Sequence, residues 1–84
     1  MAKYLISYDL MAPGKDYQPL IAALEKMGAK KVLLSEWAIS INQTAEQLRD
    51  TIRAYMDAND RIVVDELSST NWATWNALID LNKI

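Results

Sequence analysis

Alternating side chains at the start of the chain predict a β-strand. Residues 3–9 are rich in β-forming residues, and an Ala-Pro-Gly turn at residues 12–14 follows them. Strand alternation places Tyr4 and Ile6 on one face and Leu5 on the other, so both faces carry apolar side chains. We therefore expect helices to cover one face and a partner to cover the other.

Two later segments have the spacing of amphipathic helices. The first is expected to follow a cap at Asp16 and to stop at Gly28. The second begins at Thr44-Ala45-Glu46-Gln47, a capping box in which the threonine caps an amide and the glutamine reaches back. Between the helices, residues 31–41 predict two strands that are joined by a turn near Glu36.

The rest of the chain predicts one more strand and one more helix. Residues 61–67 have a β-branched centre, and the tail beyond them places Trp72 and Trp75 on one helical stripe. The complete order is that of a ferredoxin-like βαββαβ fold of the α+β class, with one antiparallel sheet and an added C-terminal helix. We expect residues 1–84 to form a single domain.

Composition excludes several classes of site and of partner. The chain has no cysteine and no histidine, which excludes disulfides, thiolate nucleophiles, a histidine base and the usual structural zinc sites. Its net charge of −2 offers no general attraction to the phosphate backbone of nucleic acid. Any binding of nucleic acid would therefore depend on a local basic patch. Without an apolar run of about 20 residues, no membrane helix is expected, and a cytoplasmic location is predicted.

Small size also predicts self-association. A domain of 84 residues buries only a modest core, so covering a second apolar face would add stability. The chain is therefore expected to be a homodimer. Candidate interface residues are Leu5, Trp37, Trp72 and Trp75. Packing in the core and stacking on nucleic-acid bases are the alternative roles of the tryptophans.

Asp9 is the candidate metal ligand and catalytic residue, because it ends the first strand where such folds expose polar groups. One Asp9 from each subunit of a dimer would hold a single Mg²⁺ or Mn²⁺, which would activate water against a phosphodiester. Asp65 and Glu66 are secondary candidates for metal oxygens. The alternative role of Asp9 is to cap the following loop through an Asx turn.

Basic residues are the candidate contacts to nucleic acid. The set is Lys15, Lys30, Lys31, Arg49 and Arg53, with Arg61 as a further member. Ordinary helix ion pairs, such as Asp50 with Arg53, are the alternative explanation for the cations of the second helix.

Two segments resemble known small proteins. Tyr4-Leu5-Ile6-Ser7-Tyr8-Asp9-Leu10 resembles the opening strand of the small CRISPR-associated adaptation proteins and of the virulence-associated protein D ribonucleases. Leu34-Ser35-Glu36-Trp37-Ala38-Ile39 resembles their second and third strands, where a serine precedes a large aromatic residue. Over about residues 1–67 the chain is most similar to small bacterial proteins labelled SinR-like. This resemblance implies the same strand order and an association with nucleic acid.

Three hypotheses about function follow. The first is a metal-dependent phosphodiesterase or nucleic-acid-associated protein, which depends on the resemblance and on Asp9. The second is a non-catalytic dimeric module that binds a protein or a small ligand, which depends on the acidic charge, the large apolar fraction and the missing catalytic constellation. A role in toxin or phage-defence systems is a third hypothesis, which the resemblance alone implies.

Overall fold

Four strands and two helices follow each other in the predicted order. The structure is a computed structural model that describes residues 1–12 and 14–84, so the predicted turn residue Pro13 lies outside the described residues. The elements are β1 (Ala2–Asp9), α1 (Gln18–Lys26), β2 (Lys30–Leu33), β3 (Glu36–Ile41), α2 (Ala45–Arg53), β4 (Arg61–Glu66) and a 3-10 turn (Leu81–Lys83).

The strands form one antiparallel sheet in the order β2-β3-β1-β4. β1 is central, with Ile6 opposite Trp37 of β3 on one side and opposite Val64 of β4 on the other. The chain is thus a small α+β protein, and this arrangement is compatible with the predicted ferredoxin-like fold. Within the described residues, no helix is long and apolar enough to cross a membrane.

The main core lies between the sheet and the two helices. Alternation along β1 turns Tyr4, Ile6 and Tyr8 inward. The helices contribute the buried side chains Leu20, Leu24, Leu48 and Ile52. Full burial of one such side chain contributes about 1.5–3 kcal/mol, so this layer holds both helices on one face of the sheet.

Local signals set the helix ends much as predicted. The Thr44 hydroxyl accepts a hydrogen bond from the Gln47 N–H at 3.1 Å, and the Gln47 side chain accepts one from the Thr44 N–H at 2.9 Å. This confirms the capping box. Gly28 follows α1 with φ 91°, a conformation that favours glycine. Asp16 lies one residue before the helix cap, and its carboxylate accepts from the Gln18 N–H at 3.0 Å.

The turn between β2 and β3 falls at Leu34 and Ser35, directly before Glu36, which begins β3. Leu34 and Ser35 contain no glycine, proline, asparagine or aspartate to mark the turn. Its position follows from tertiary packing, because this register directs Trp37 to the helix side of the sheet and Ala38 to the opposite side.

The C-terminal tail, residues 67–84, contains no α-helix, so the predicted C-terminal helix is wrong. Polar residues 68–71 favour turns over a helix, and Asn76 has φ 53°, which interrupts any helical run. The tail instead crosses the face of the sheet opposite the helices. Its Leu81 is buried against Val32 and Ala38.

Candidate functional site

Asp9 is exposed at the end of β1, on the sheet face that the tail partly covers. Its carboxylate Oδ2 lies 3.7 Å from Arg61 Nη1, and both side chains are exposed, so the pair is weak. The two residues border a concavity of about 170 Å³, here named the Asp9 cleft. Its lining residues are Ser7, Tyr8, Asp9, Ser35, Arg61, Ile62 and Val63.

Strand register and the core fix the floor of the Asp9 cleft. Asp9 and Arg61 are directly opposite in the β1–β4 ladder, which brings their side chains together. The Tyr8 N–H donates to the Ser35 carbonyl at 3.1 Å and holds the β2–β3 turn against β1. The Tyr8 side chain points into the core, where its hydroxyl accepts from Trp37 Nε1 at 2.9 Å.

Asp60 anchors the loop that follows the cleft. Its carboxylate accepts hydrogen bonds from the Met11 N–H at 2.6 Å, the Asp57 N–H at 2.7 Å and the Tyr17 hydroxyl at 2.8 Å. Burial alone would raise the pKa of Asp60, but these hydrogen bonds and the Lys15 charge outweigh it and lower the pKa.

The pKa of Tyr17, which donates to Asp60, is shifted in the opposite direction. Burial, followed by the hydrogen bond to Asp60, raises the pKa of the Tyr17 hydroxyl. In the sequence, Asn59-Asp60 before β4 is a turn signal. Nothing in the sequence indicates that Asp60 reaches Met11 across the fold.

The carboxylates of one chain do not by themselves form a metal centre. No group of three or more acidic, histidine or cysteine side chains suited to a metal occurs in residues 1–12 and 14–84. Asp65 lies four residues along β4 from Arg61, a separation of about 13 Å, and Glu66 lies one residue further. Among the described residues, no hydrogen bond joins the Asp9 carboxylate to the following loop as an Asx turn would require.

The predicted basic residues are not brought together. Lys30 and Lys31 lie on β2, whereas Arg49 and Arg53 lie on α2, which packs against β4 at the opposite edge of the sheet. Lys15 lies in the loop before α1. Arg61, rather than any of these five, lines the Asp9 cleft.

Several of these cations have partners inside the chain. Arg49 pairs with Asp50 at 2.9 Å. The Lys31 ammonium lies 5.6 Å from the centre of the Trp37 ring, and that of Lys15 lies 5.7 Å from the Tyr17 ring. Contacts of this kind are typical of a solvated surface.

The four candidate interface residues occupy three environments. Trp37 is only 4% exposed and packs in the main core, so its own chain already covers it. Leu5 and Trp72 are half-buried where the tail meets the sheet. Trp75 is 87% exposed, so the sheet of its own chain does not bury it.

A second concavity, here named the tail pocket, lies between the tail and the sheet. Its volume is about 250 Å³, and its lining residues are Leu5, Val32, Leu33, Glu36, Trp72, Ala73, Thr74, Trp75, Ala77 and Leu81. Glu36 is the charged residue of this set and lies opposite Ser7, which lines the Asp9 cleft. The two concavities therefore adjoin on one face of the sheet. Sequence reasoning missed the tail pocket because it exists only when an irregular tail folds back.

No protein-family model matches the chain. The function is therefore argued from the geometry of the Asp9 cleft and of the tail pocket.

Proposed function

We propose that this chain is a non-catalytic module that binds a small ligand in the tail pocket. The observation that carries this function is the pocket itself, a mostly apolar cavity with one carboxylate in its wall. Ligand sites commonly combine apolar walls with a few placed polar groups. The volume of about 250 Å³ lies below the range of roughly 300–1,000 Å³ for typical ligand pockets, which favours a small ligand.

The tail is held at both ends of the pocket. Trp72 packs against the cluster that includes Leu5, and Leu81 is buried in the same cluster. The Leu78 N–H donates to the Val32 carbonyl at 2.9 Å, which fixes the tail to β2. Residues 73–77 cross the pocket between these anchors without regular secondary structure, so a ligand can be accommodated by local adjustment of the tail.

Nuclear magnetic resonance titration with benzyl alcohol, a small neutral aromatic probe, tests this function. Saturable shifts are expected at Leu5, Val32 and Trp72. Ala77→Phe should fill the pocket and remove these shifts, whereas Ala22→Phe on the exposed surface of α1 is the matched control. Wild-type protein without saturable shifts at the lining residues would contradict the proposal.

A second candidate function is Mg²⁺- or Mn²⁺-dependent cleavage of nucleic acid, as the resemblance implies. The exposed Asp9 carboxylate beside Arg61 favours it, because carboxylate oxygens suit these metals and a guanidinium suits a phosphate. Since the cleft of one chain contains a single carboxylate, this function needs the Asp9 of a second copy. The metal would polarise the phosphodiester and activate water.

A homodimer through this face is part of the second proposal. Val63 is 63% exposed, lines the Asp9 cleft and lies opposite Ser7. An exposed apolar side chain beside Asp9 favours a two-fold contact there, which would bring the two carboxylates near one another.

Light scattering tests the dimer. The wild-type mass should be twice the 9.5 kDa chain mass at micromolar concentration. Val63→Asp should give a monomer, and Ala22→Asp should remain a dimer. A monomeric wild type would remove the paired Asp9 site.

Labelled RNA and DNA test cleavage directly. Activity should require Mn²⁺ or Mg²⁺, should stop with a chelator and should be lost in Asp9→Asn. Glu25→Gln, which removes one carboxylate charge from α1, is the matched control and should cleave normally. Equal cleavage by wild type and Asp9→Asn would refute the site.

A further inference from the structure

We infer that the tail pocket selects a small organic cation with an aromatic body, an inference that rests on the proposed ligand-binding function. The inference depends on three features of the pocket: the half-buried Glu36 carboxylate, the indole rings of Trp72 and Trp75, and the volume of the cavity. Each supplies a different part of the recognition of such a ligand.

Glu36 supplies an unneutralised charge. It lines the tail pocket and is half-buried. The ion pairs of the described residues join Arg49 to Asp50 and Arg61 to Asp9, so none of them involves Glu36. Lys30 lies on the same face, opposite Ala38, but does not line the pocket. A ligand cation would therefore provide the charge partner that Glu36 lacks, at a place where water only partly screens the interaction.

The two tryptophans supply aromatic surface. A cation within about 6 Å of an indole face is attracted by the ring quadrupole, and tryptophan is the strongest of the aromatic residues in this role. Trp72 is half-buried and forms part of the pocket wall, whereas Trp75 is 87% exposed. The Trp75 ring can therefore contact a ligand without first losing many contacts of its own.

Volume and charge limit the ligand further. With roughly 30 Å³ per water molecule, a cavity of about 250 Å³ corresponds to about eight waters, which suits a single substituted ring. The Glu36 carboxylate repels carboxylates and phosphates, so anionic ligands of the same size are disfavoured. A quaternary ammonium or a protonated amine on an aromatic ring satisfies all these features.

Titration calorimetry with three probes of similar size tests the inference: benzyltrimethylammonium, neutral benzyl alcohol and anionic phenylacetate. The cation is expected to bind about tenfold more tightly than the neutral probe. Phenylacetate should bind most weakly. Raising the salt concentration should weaken binding of the cation, relieve the repulsion of phenylacetate and leave the binding of benzyl alcohol unchanged.

Glu36→Gln keeps the size of the side chain and removes its charge. It should weaken binding of the cation about tenfold and leave benzyl alcohol binding unchanged, whereas Glu25→Gln on α1 should change neither. Trp75→Ala should also weaken cation binding, while the melting temperature falls by only about 2–6 °C. Circular dichroism verifies the fold of each variant.

The outcomes separate the inference from the function on which it rests. Equal binding of the cation and the neutral probe, or full affinity in Glu36→Gln, would overturn the inference and leave the tail pocket as a ligand site. Failure of all three probes to bind would overturn both the cation preference and the proposed ligand-binding function.

Discussion

Replacing Trp72 and Trp75 one at a time by alanine measures how the C-terminal tail lies on the sheet. If the tail were the helix that its spacing predicts, both indoles would share one buried stripe, and both substitutions would destabilise the protein similarly. In the structure Trp72 is half-buried against the cluster of Val32, Ala38 and Leu81, whereas Trp75 is 87% exposed. We therefore expect unequal effects on the free energy of unfolding.

The burial of each indole sets the expected magnitudes. Complete burial of a tryptophan removes about 150–250 Å² from water, worth about 4–6 kcal/mol at roughly 25 cal/mol per Å². More than half of that surface is covered in Trp72, so Trp72→Ala should cost at least about 2–3 kcal/mol. The small covered fraction of Trp75 gives about 0.5–0.8 kcal/mol for Trp75→Ala.

Thermal unfolding followed by circular dichroism distinguishes the two outcomes. Since 1 kcal/mol shifts the melting temperature of such a domain by about 4–8 °C, Trp72→Ala should lower it by about 8–24 °C and Trp75→Ala by about 2–6 °C. Thr74→Ala, an exposed neighbour, is the control. The measurement is repeated at several protein concentrations, because a dimer that covers Trp75 would make its effect depend on concentration.

Equal losses of stability for Trp72→Ala and Trp75→Ala at every concentration would refute the described path of the tail. The tail pocket would then be refuted with it, because both residues line that pocket.

Four further outcomes are expected. Tyr8→Phe removes the acceptor of the buried Trp37 N–H and should cost about 1–3 kcal/mol in chemical denaturation; an unchanged midpoint would contradict the contact. Asp60 has a pKa below its ordinary 3.8, so its contribution to stability is present above that pH and is lost as pH falls through the lowered value. Acid titration should show a flatter decline in Asp60→Asn, and identical acid curves would refute this role. Asp9→Asn should change stability by less than about 1 kcal/mol, because its ion pair is exposed; a large loss would indicate a structural role. Leu81→Ala should cost about 2–5 kcal/mol and release the tail from the sheet, seen as faster amide exchange at Leu78; unchanged exchange would place the anchor elsewhere.

Much of the architecture could be predicted from local signals in the sequence. The capping box at Thr44 and the glycine stop at Gly28 involve residues within one turn of each other, so the chain shows them without knowledge of the fold. Alternation along β1 likewise predicted that Tyr4 and Ile6 share one buried face. The exposure of Asp9 followed from its place at the end of that strand.

Only the tertiary structure decided which side chains meet in the two concavities. The Asp60 anchor joins Met11 to a residue 49 positions away, and the tail pocket needs Leu81 against Val32. Periodicity identifies the residues that would share a stripe if a segment were helical, but it does not show whether the sheet offers an irregular tail better contacts. By itself, therefore, the sequence determined the order of strands and helices before the tail, since short-range hydrogen bonding and alternation specify them. The path of the tail, and with it the exposure of each tryptophan, depends on long-range packing.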